Sequence, residues 1–265
     1  MADRRVVLVT TVALAGLALA GCGNMLKTQT SADDGTVKDS ITTVLVDEDA
    51  GDVDIRVGQV SSATVHREVH YGTQKPEAAT FSSDNGTLSL RGCGQRPVDD
   101  PCSVNYTVVL PTPAKVSGRS GSGKAVFDHM GAVDFQSGSG SVRLSSIAGD
   151  VRVKTGSGAV ELSEVHGSVV AESGSGRIIG DKLAGESTAA KTGSGEVRLT
   201  TSTAQDVRAD TGSGDVELIV PGSTGYRLDL GRMAKRREVT VREDPAAQHE
   251  LHVSTGSGDV TVRAA

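Results

Sequence analysis

Several groups of side chains in this 265-residue chain have the types and spacing that chemistry requires. His66 with His70 and His249 with His252 form two close pairs; on a strand, residues i and i+4 share a face, so His66 and His70 can converge on one ion. Neither pair has an acidic or thiol partner at zinc-like spacing, so exposed, unliganded histidines are expected, with no metal and no cofactor. Asp150, Arg152 and Lys154, and again Asp206, Arg208 and Asp210, alternate along similar faces in the manner of a polysaccharide lyase or hydrolase. With no Trp, three Tyr and three Phe, however, aromatic sugar platforms are scarce. No G-x-S-x-G turn suggests a catalytic serine. Gly-Ser-Gly triplets recur at 138–140, 156–158, 174–176, 193–195 and 212–214 and return at 256–258, and their backbone amides could cradle an anion. No Lys-Ser/Thr pair follows them as in a nucleotide loop, and the aspartate and paired glycines of a calcium nonapeptide are missing. Their small residues suit closely stacked bends. The basic run Arg232 to Arg237 is the one feature that no repeat demands; read as a loop, its Lys235, Arg236 and Arg237 could contact an anionic partner, such as phosphate groups of a wall polymer or lipid surface.

The elements that must position these groups follow from the glycines. Gly131, Gly140, Gly149, Gly158, Gly167, Gly176 and Gly185 fall nine residues apart, each opening a unit of the form G-x-V-x-L; one extra residue shifts the frame to Gly195, and the pattern returns at Gly214. Because the Gly-Ser-Gly triplet precedes every second unit, the true period is eighteen or nineteen residues, two strands per coil. Val142 and Leu144, Val151 and Val153, and Val160 and Leu162 point one way, with Arg143, Arg152 and Glu161 between them, as half-buried strands require. Nothing has a helical period. The fold class expected is therefore all-β: a single-stranded parallel β-helix, or solenoid, whose coils share a core and backbone hydrogen bonds with their neighbours. Glycine at the bends is expected to supply positive φ. Stacking at about 4.8 Å places Arg143 beside Glu161, Arg198 beside Glu217, Arg177 beside Glu196 and Lys154 beside Glu172, where opposite charges keep the register.

Outside the regular repeats, 116–220, the pattern loosens. Residues 41–115 read as irregular first coils, with a boundary near Pro111–Ser120 as the two-domain alternative. Residues 221–265 read as irregular last coils: Tyr226 to Leu230, the basic loop, Val239 to Arg242 and a final copy at 256–262 whose exposed edge Arg263 would blunt.

The N-terminus is an address. Arg4 and Arg5 precede the apolar run Val6 to Ala20, too short and too rich in small residues for a membrane span. It ends in Leu19-Ala20-Gly21-Cys22, which resembles the bacterial lipobox; the resemblance implies a signal peptide over 1–21, cleavage before Cys22 and a lipid on that cysteine, which would anchor the chain at the outer face of the cytoplasmic membrane or the cell surface. Of three cysteines this leaves Cys93 and Cys102, a pair able to staple the polar loop between them in an oxidising compartment. The polar stretch 22–40 reads as a disordered tether, and 41–265 as the solenoid. Loss of Asp3, Arg4 and Arg5 with the leader takes the net charge from −6 to −7, which argues against nucleic acid as a partner.

Together the G-S-G-x-V-x-L units, the looser strand-rich N-terminal third and the lipobox resemble the bacterial putative-adhesin β-strand-repeat family, over roughly Ile41 to Val262. The resemblance implies a right-handed β-solenoid of the cell envelope without an assigned enzymatic activity, and it brings no catalytic residues. The expected function is non-catalytic: a lipid-anchored surface that adheres to a cell-wall polymer or surface protein. The alternatives are a carbohydrate-active enzyme on a parallel β-helix, with Asp206 or Arg208 essential, and an envelope-stress accessory that binds a partner at the membrane.

Overall fold

Alternation of apolar and polar residues becomes alternation of burial. In the strands Val142–Ile147 and Val160–Val165 the residues Val142, Leu144, Ile147, Val160 and Val165 are fully buried, while Arg143 points outward. The computed structural model describes residues 8–10, 28–95, 97, 100–231 and 234–265, and among these every regular element is a strand. The expected lipidation site Cys22 lies outside the described residues, as does Arg232. Two compact units result, one ending at Gly123 and one running from Lys124 to Ala265.

In the second unit, successive nine-residue units alternate between two parallel sheets. One sheet carries Ala125–Asp128, Val142–Ile147, Val160–Val165, Ile178–Leu183, Val197–Thr201 and Val216–Val220. The other carries Val133–Ser137, Val151–Thr155, Val169–Ser173, Ser187–Thr192 and Asp206–Thr211. Register is residue on residue: Val142 pairs with Val160, Arg143 with Glu161 and Ile147 with Val165. Phe127 and Phe135, from facing strands, meet edge to face at 5.0 Å between centroids and fill the first coil of this unit.

The bends differ from expectation. Positive φ falls on His129, Ser146, Glu164 and Lys182, one per coil just before the buried Met130, Ile147, Val165 and Leu183. Of the triplet glycines from 138 onward, Gly214 alone has positive φ. The others are needed because nothing larger fits: a Cβ on Gly158 would stand 1.9 Å from the Gly140 carbonyl oxygen, and one on Gly176 1.9 Å from that of Gly158. Glycine here allows close stacking rather than an unusual backbone.

The C-terminal coils stack out of chain order. Asp206–Thr211 pairs with Glu250–Thr255 and Val216–Val220 with Asp259–Ala264, so the final copy lies directly on the last regular coil. The intervening Arg227–Leu230 and Arg236–Val239 pair with the far sides of Glu250–Thr255 and Asp259–Ala264 and form the outermost layer. The final copy is therefore interior, and the edge expected to need Arg263 is covered. The run expected as a basic loop is partly strand, since Arg236 and Arg237 lie in Arg236–Val239. Like prefers like: Gly256 and Gly258 fit on the carbonyls of Gly212 and Gly214, a seat that the glycine-poor 227–239 segment does not match.

The first unit is irregular in strand direction as well as in spacing. Thr43–Ala50 lies parallel between Thr87–Arg91 and Lys115–Ser122. Phe81–Asp84 folds back on Thr87–Arg91 through an Asn85-Gly86 hairpin with φ of 47° and 77°. Cys102–Leu110 runs parallel to Val53–Val57 but antiparallel to Ala63–Tyr71. Against Ala63–Tyr71 lies Gln29–Val37, in the stretch expected to be a disordered tether. That expectation is corrected over these residues: Asp33, Gly35 and Val37 alternate inward, and buried Asp33 receives the buried Arg67. Leu8–Thr10, within the expected leader, pairs antiparallel with Asp34–Thr36.

Candidate functional site

The Gly-Ser-Gly turns are occupied by their own structure. The residue before each triplet is Ser or Thr, and in most copies its hydroxyl links two coils. Thr155 Oγ1 donates to the Gly140 carbonyl at 3.2 Å and accepts from Gly158 N at 3.0 Å. Ser173 repeats this with Gly158 and Gly176, and Thr192 with Gly176 and Gly195. Glycine amides that could have cradled an anion are thus already bonded, and Gly156 N, at the first position of the triplet, donates to Gly138 O at 2.8 Å. The hydroxyl residue was visible in the sequence as [Ser/Thr]-Gly-Ser-Gly, but its role needs the stacked neighbour.

The charged faces are likewise consumed by stacking. Arg143 Nε donates to Glu161 at 2.8 Å, Arg198 Nε to Glu217 at 2.7 Å, and Lys154 stands 3.5 Å from Glu172. Arg177 departs from expectation: it bonds Glu161 at 3.0 Å, leaving Glu196 to Arg198 at 2.7 Å. Hydrogen bonds from Arg143 and then Arg177 hold the Glu161 carboxyl below the usual carboxylate range. Of the residues weighed for catalysis, all but Arg152 have a polar partner among the described residues. Asp150 accepts from Ser168 N at 2.9 Å, and Arg208 pairs with Asp210 at 2.7 Å.

His66, His249 and His252 find acidic partners that sequence spacing hid, because they come from distant strands. His66 meets Asp34 at 2.8 Å, and His70 meets Thr30 at 3.1 Å. His252 stands between Asp210 at 3.1 Å and Asp229 at 2.6 Å, joining the last regular coil, the final copy and the outermost strand. His249 lies 3.5 Å from Asp206. Among the described residues no group of three or more His, Cys, Asp or Glu could hold a metal ion.

Two surface features and one buried cluster remain. Lys235, Arg236 and Arg237 are exposed and, among the described residues, in no ion pair; Arg237 donates to the Gly231 carbonyl, and Lys235 N to Gly258 O at 2.8 Å. A polar groove enclosing about 620 Å³ crosses the corners of successive coils, with His166, Glu186, Thr203, Asp206, Gln248 and His249 along it. In the first unit, Arg67 forms a buried two-pronged pair with Asp33, also donates to the Ala79 carbonyl, and lies over the Phe81 ring at 5.5 Å. Beside it Tyr106 donates to the carbonyls of Arg91, at 2.6 Å, and Thr80; burial raises its phenol pKa. Glu48 faces the same interior, 2% exposed, with neither carboxyl oxygen hydrogen-bonded. Burial, then the charge of Asp49, pushes its pKa up to about 8; the nearby Val104 and Asp49 amides oppose the shift without closing a bond of normal geometry. Cys93 and Cys102 form a disulfide, with Cα atoms 6.2 Å apart.

The family model described as Toastrack DUF4097 matches residues 104–263. Among solved structures, a putative adhesin from Bacteroides fragilis is similar at 13% identity and a TM-score of 0.53, covering 92% of this chain and 100% of that one. A putative cell adhesion protein from Clostridium sporogenes matches at 10% identity and a TM-score of 0.34, covering 89% and 100%, and a putative adhesin from Parabacteroides distasonis at 11% and 0.36, covering 89% and 97%. The first of these likenesses is one of fold. Among curated proteins none matches the chain in sequence.

Proposed function

Since the chain belongs to the Toastrack DUF4097 family, a family of unknown function, we propose that it is a non-catalytic display protein of the cell envelope, held by a lipid on Cys22 and contacting an envelope polymer or a surface partner. The observation that carries this reading is the commitment of the repeat's chemistry to its own stacking. Hydroxyls and amides of the turns bond one another, and outward charges such as Arg143 with Glu161 and Arg198 with Glu217 pair from one coil to the next. Leu45 is the one exposed large hydrophobic residue among those described, so contact with a partner would be polar. Lys235, Arg236 and Arg237, in no ion pair among the described residues, give the outermost coil a positive edge suited to phosphate groups.

Two measurements on intact cells test this. Labelling with a fatty-acid probe should mark the wild type and not Cys22→Ala, which should leave the membrane fraction. Photo-crosslinkers near Arg236 should capture an envelope component, with capture falling when Lys235, Arg236 and Arg237 become serine. Capture equal in the serine variant removes the basic edge from the reading, and a cytosolic crosslinking profile removes the reading itself. A carbohydrate-active enzyme would instead show turnover of a wall polysaccharide that is lost in Asp206→Asn or Arg208→Ala.

A further inference from the structure

The groove on the second unit departs from the logic of the repeat. Positions that serve stacking keep their residue type from coil to coil: glycine at 140, 158 and 176, and hydroxyl at 155, 173 and 192. The corners lining the groove do not. His166 follows the strand Val160–Val165, Ala184 to Glu186 follow Ile178–Leu183, Thr203 to Asp206 follow Val197–Thr201, and Gln248 with His249 precede Glu250–Thr255. The third corner is rebuilt. There, as at the second corner, the frame lengthens from eighteen to nineteen residues, and Thr201 occupies the place of Ile147, Val165 and Leu183. Gln205 turns inward, 1% exposed, donating to Leu183 O at 2.9 Å and accepting from Thr188 at 2.8 Å, while the buried Thr201 hydroxyl has no partner. Stacking of the final copy then supplies the fourth level, with Gln248 and His249, so the groove is complete only because the C-terminal coils lie out of chain order.

The chemistry of the lining selects a ligand. No Lys or Arg lines the groove, but two carboxylates do. Glu186 has no cationic partner among the described residues, and Asp206 has only His249 at 3.5 Å and the Glu250 amide at 3.0 Å. Such a groove repels phosphate and uronate chains and favours a cation. Thr203, Gln248 and the two imidazoles add donors and acceptors suited to hydroxyl groups. The levels advance by about 4.8 Å, so four levels span about 14 Å, and a β-linked pyranose chain advances by a similar step per residue. We infer that this groove binds a short stretch of an amine-bearing polysaccharide, with an ammonium group between Glu186 and Asp206 and ring hydroxyls on the flanking side chains. The inference rests on the envelope reading above and gives that reading one ligand class.

Titration of the full lipidated chain in nanodiscs with a β-1,4-linked glucosamine tetramer tests it, with the N-acetylglucosamine tetramer in parallel. Binding of the free amine form, weakened roughly ten- to a hundredfold in Glu186→Gln and in Asp206→Asn, is the expected result, each change removing one charge-assisted contact. Asp206→Asn keeps an acceptor for the Glu250 amide, and Glu172→Gln, on the outer face beside Lys154, should leave binding unchanged. Equal binding of both tetramers, equal losses in Glu172→Gln, or no binding of the free amine form each overturns the inference. If binding is absent while envelope crosslinking on cells persists, the groove assignment fails alone; if crosslinking is also lost, the envelope reading falls with it.

Discussion

Replacing Glu48 with glutamine should change how the stability of the first unit depends on pH. In the folded chain Glu48 is 2% exposed, and burial raises its pKa from 4.5 to about 8. Between these values the folded state keeps a proton that the unfolded state has released, so stability must fall as pH rises. The loss begins near pH 4.5, reaches about 3 kcal/mol at pH 7 and is complete above pH 8 at about 5 kcal/mol, from 1.4 kcal/mol per pH unit. Near-complete burial leaves little solvent to screen this cost. Glu161 and Glu164, whose pKa values are lowered, titrate on the acid side of the window and do not mask it. Glu48→Gln has no proton to release. Its stability should match that of the wild type near pH 4 and exceed it by a few kcal/mol at pH 8. Urea unfolding at half-unit steps from pH 4 to 9, with hydrogen exchange of Thr43–Ala50 and Cys102–Leu110 to localise the effect, measures this directly. Parallel slopes for the two proteins between pH 4.5 and 8 would show that Glu48 ionises freely in the fold and would refute the reasoning.

Two further outcomes follow from the stacking. Gly158→Ala puts a methyl group 1.9 Å from the Gly140 carbonyl oxygen, so it should cost about 2–4 kcal/mol in urea melts, whereas Ser157→Ala, at the exposed middle of the same triplet, should stay within about 0.5 kcal/mol. Ser213→Cys with Ser257→Cys should form a crosslink within one chain, since the two hydroxyls lie 3.4 Å apart only because the final copy sits on the last regular coil; non-reducing mass mapping that finds no such link means the coils stack in chain order.

Much of the second unit was legible in the residues. A nine-residue spacing with alternating Val and Leu is local information, and once copies stack it dictates both the buried face and the residue-on-residue register, as the Arg143–Glu161 and Arg198–Glu217 pairs demonstrate. The Asn85-Gly86 hairpin is equally local, since both residues tolerate the positive φ that its turn requires. Other features depend on which of several competing partners a segment meets. Gln29–Val37 has the composition of a tether and becomes a strand because Ala63–Tyr71 offers its edge and Arg67 waits for Asp33. The final copy could stack on any coil end; it takes the last regular one because its glycines seat on matching carbonyls, and that displaces 227–239 to the outside. The groove exists only after that choice, since Asp206 and His249 are brought together by it. Periodicity reports what each strand presents to its neighbour, but identical edges leave the neighbour's identity open, and only the competition among all edges in the folded chain resolves it.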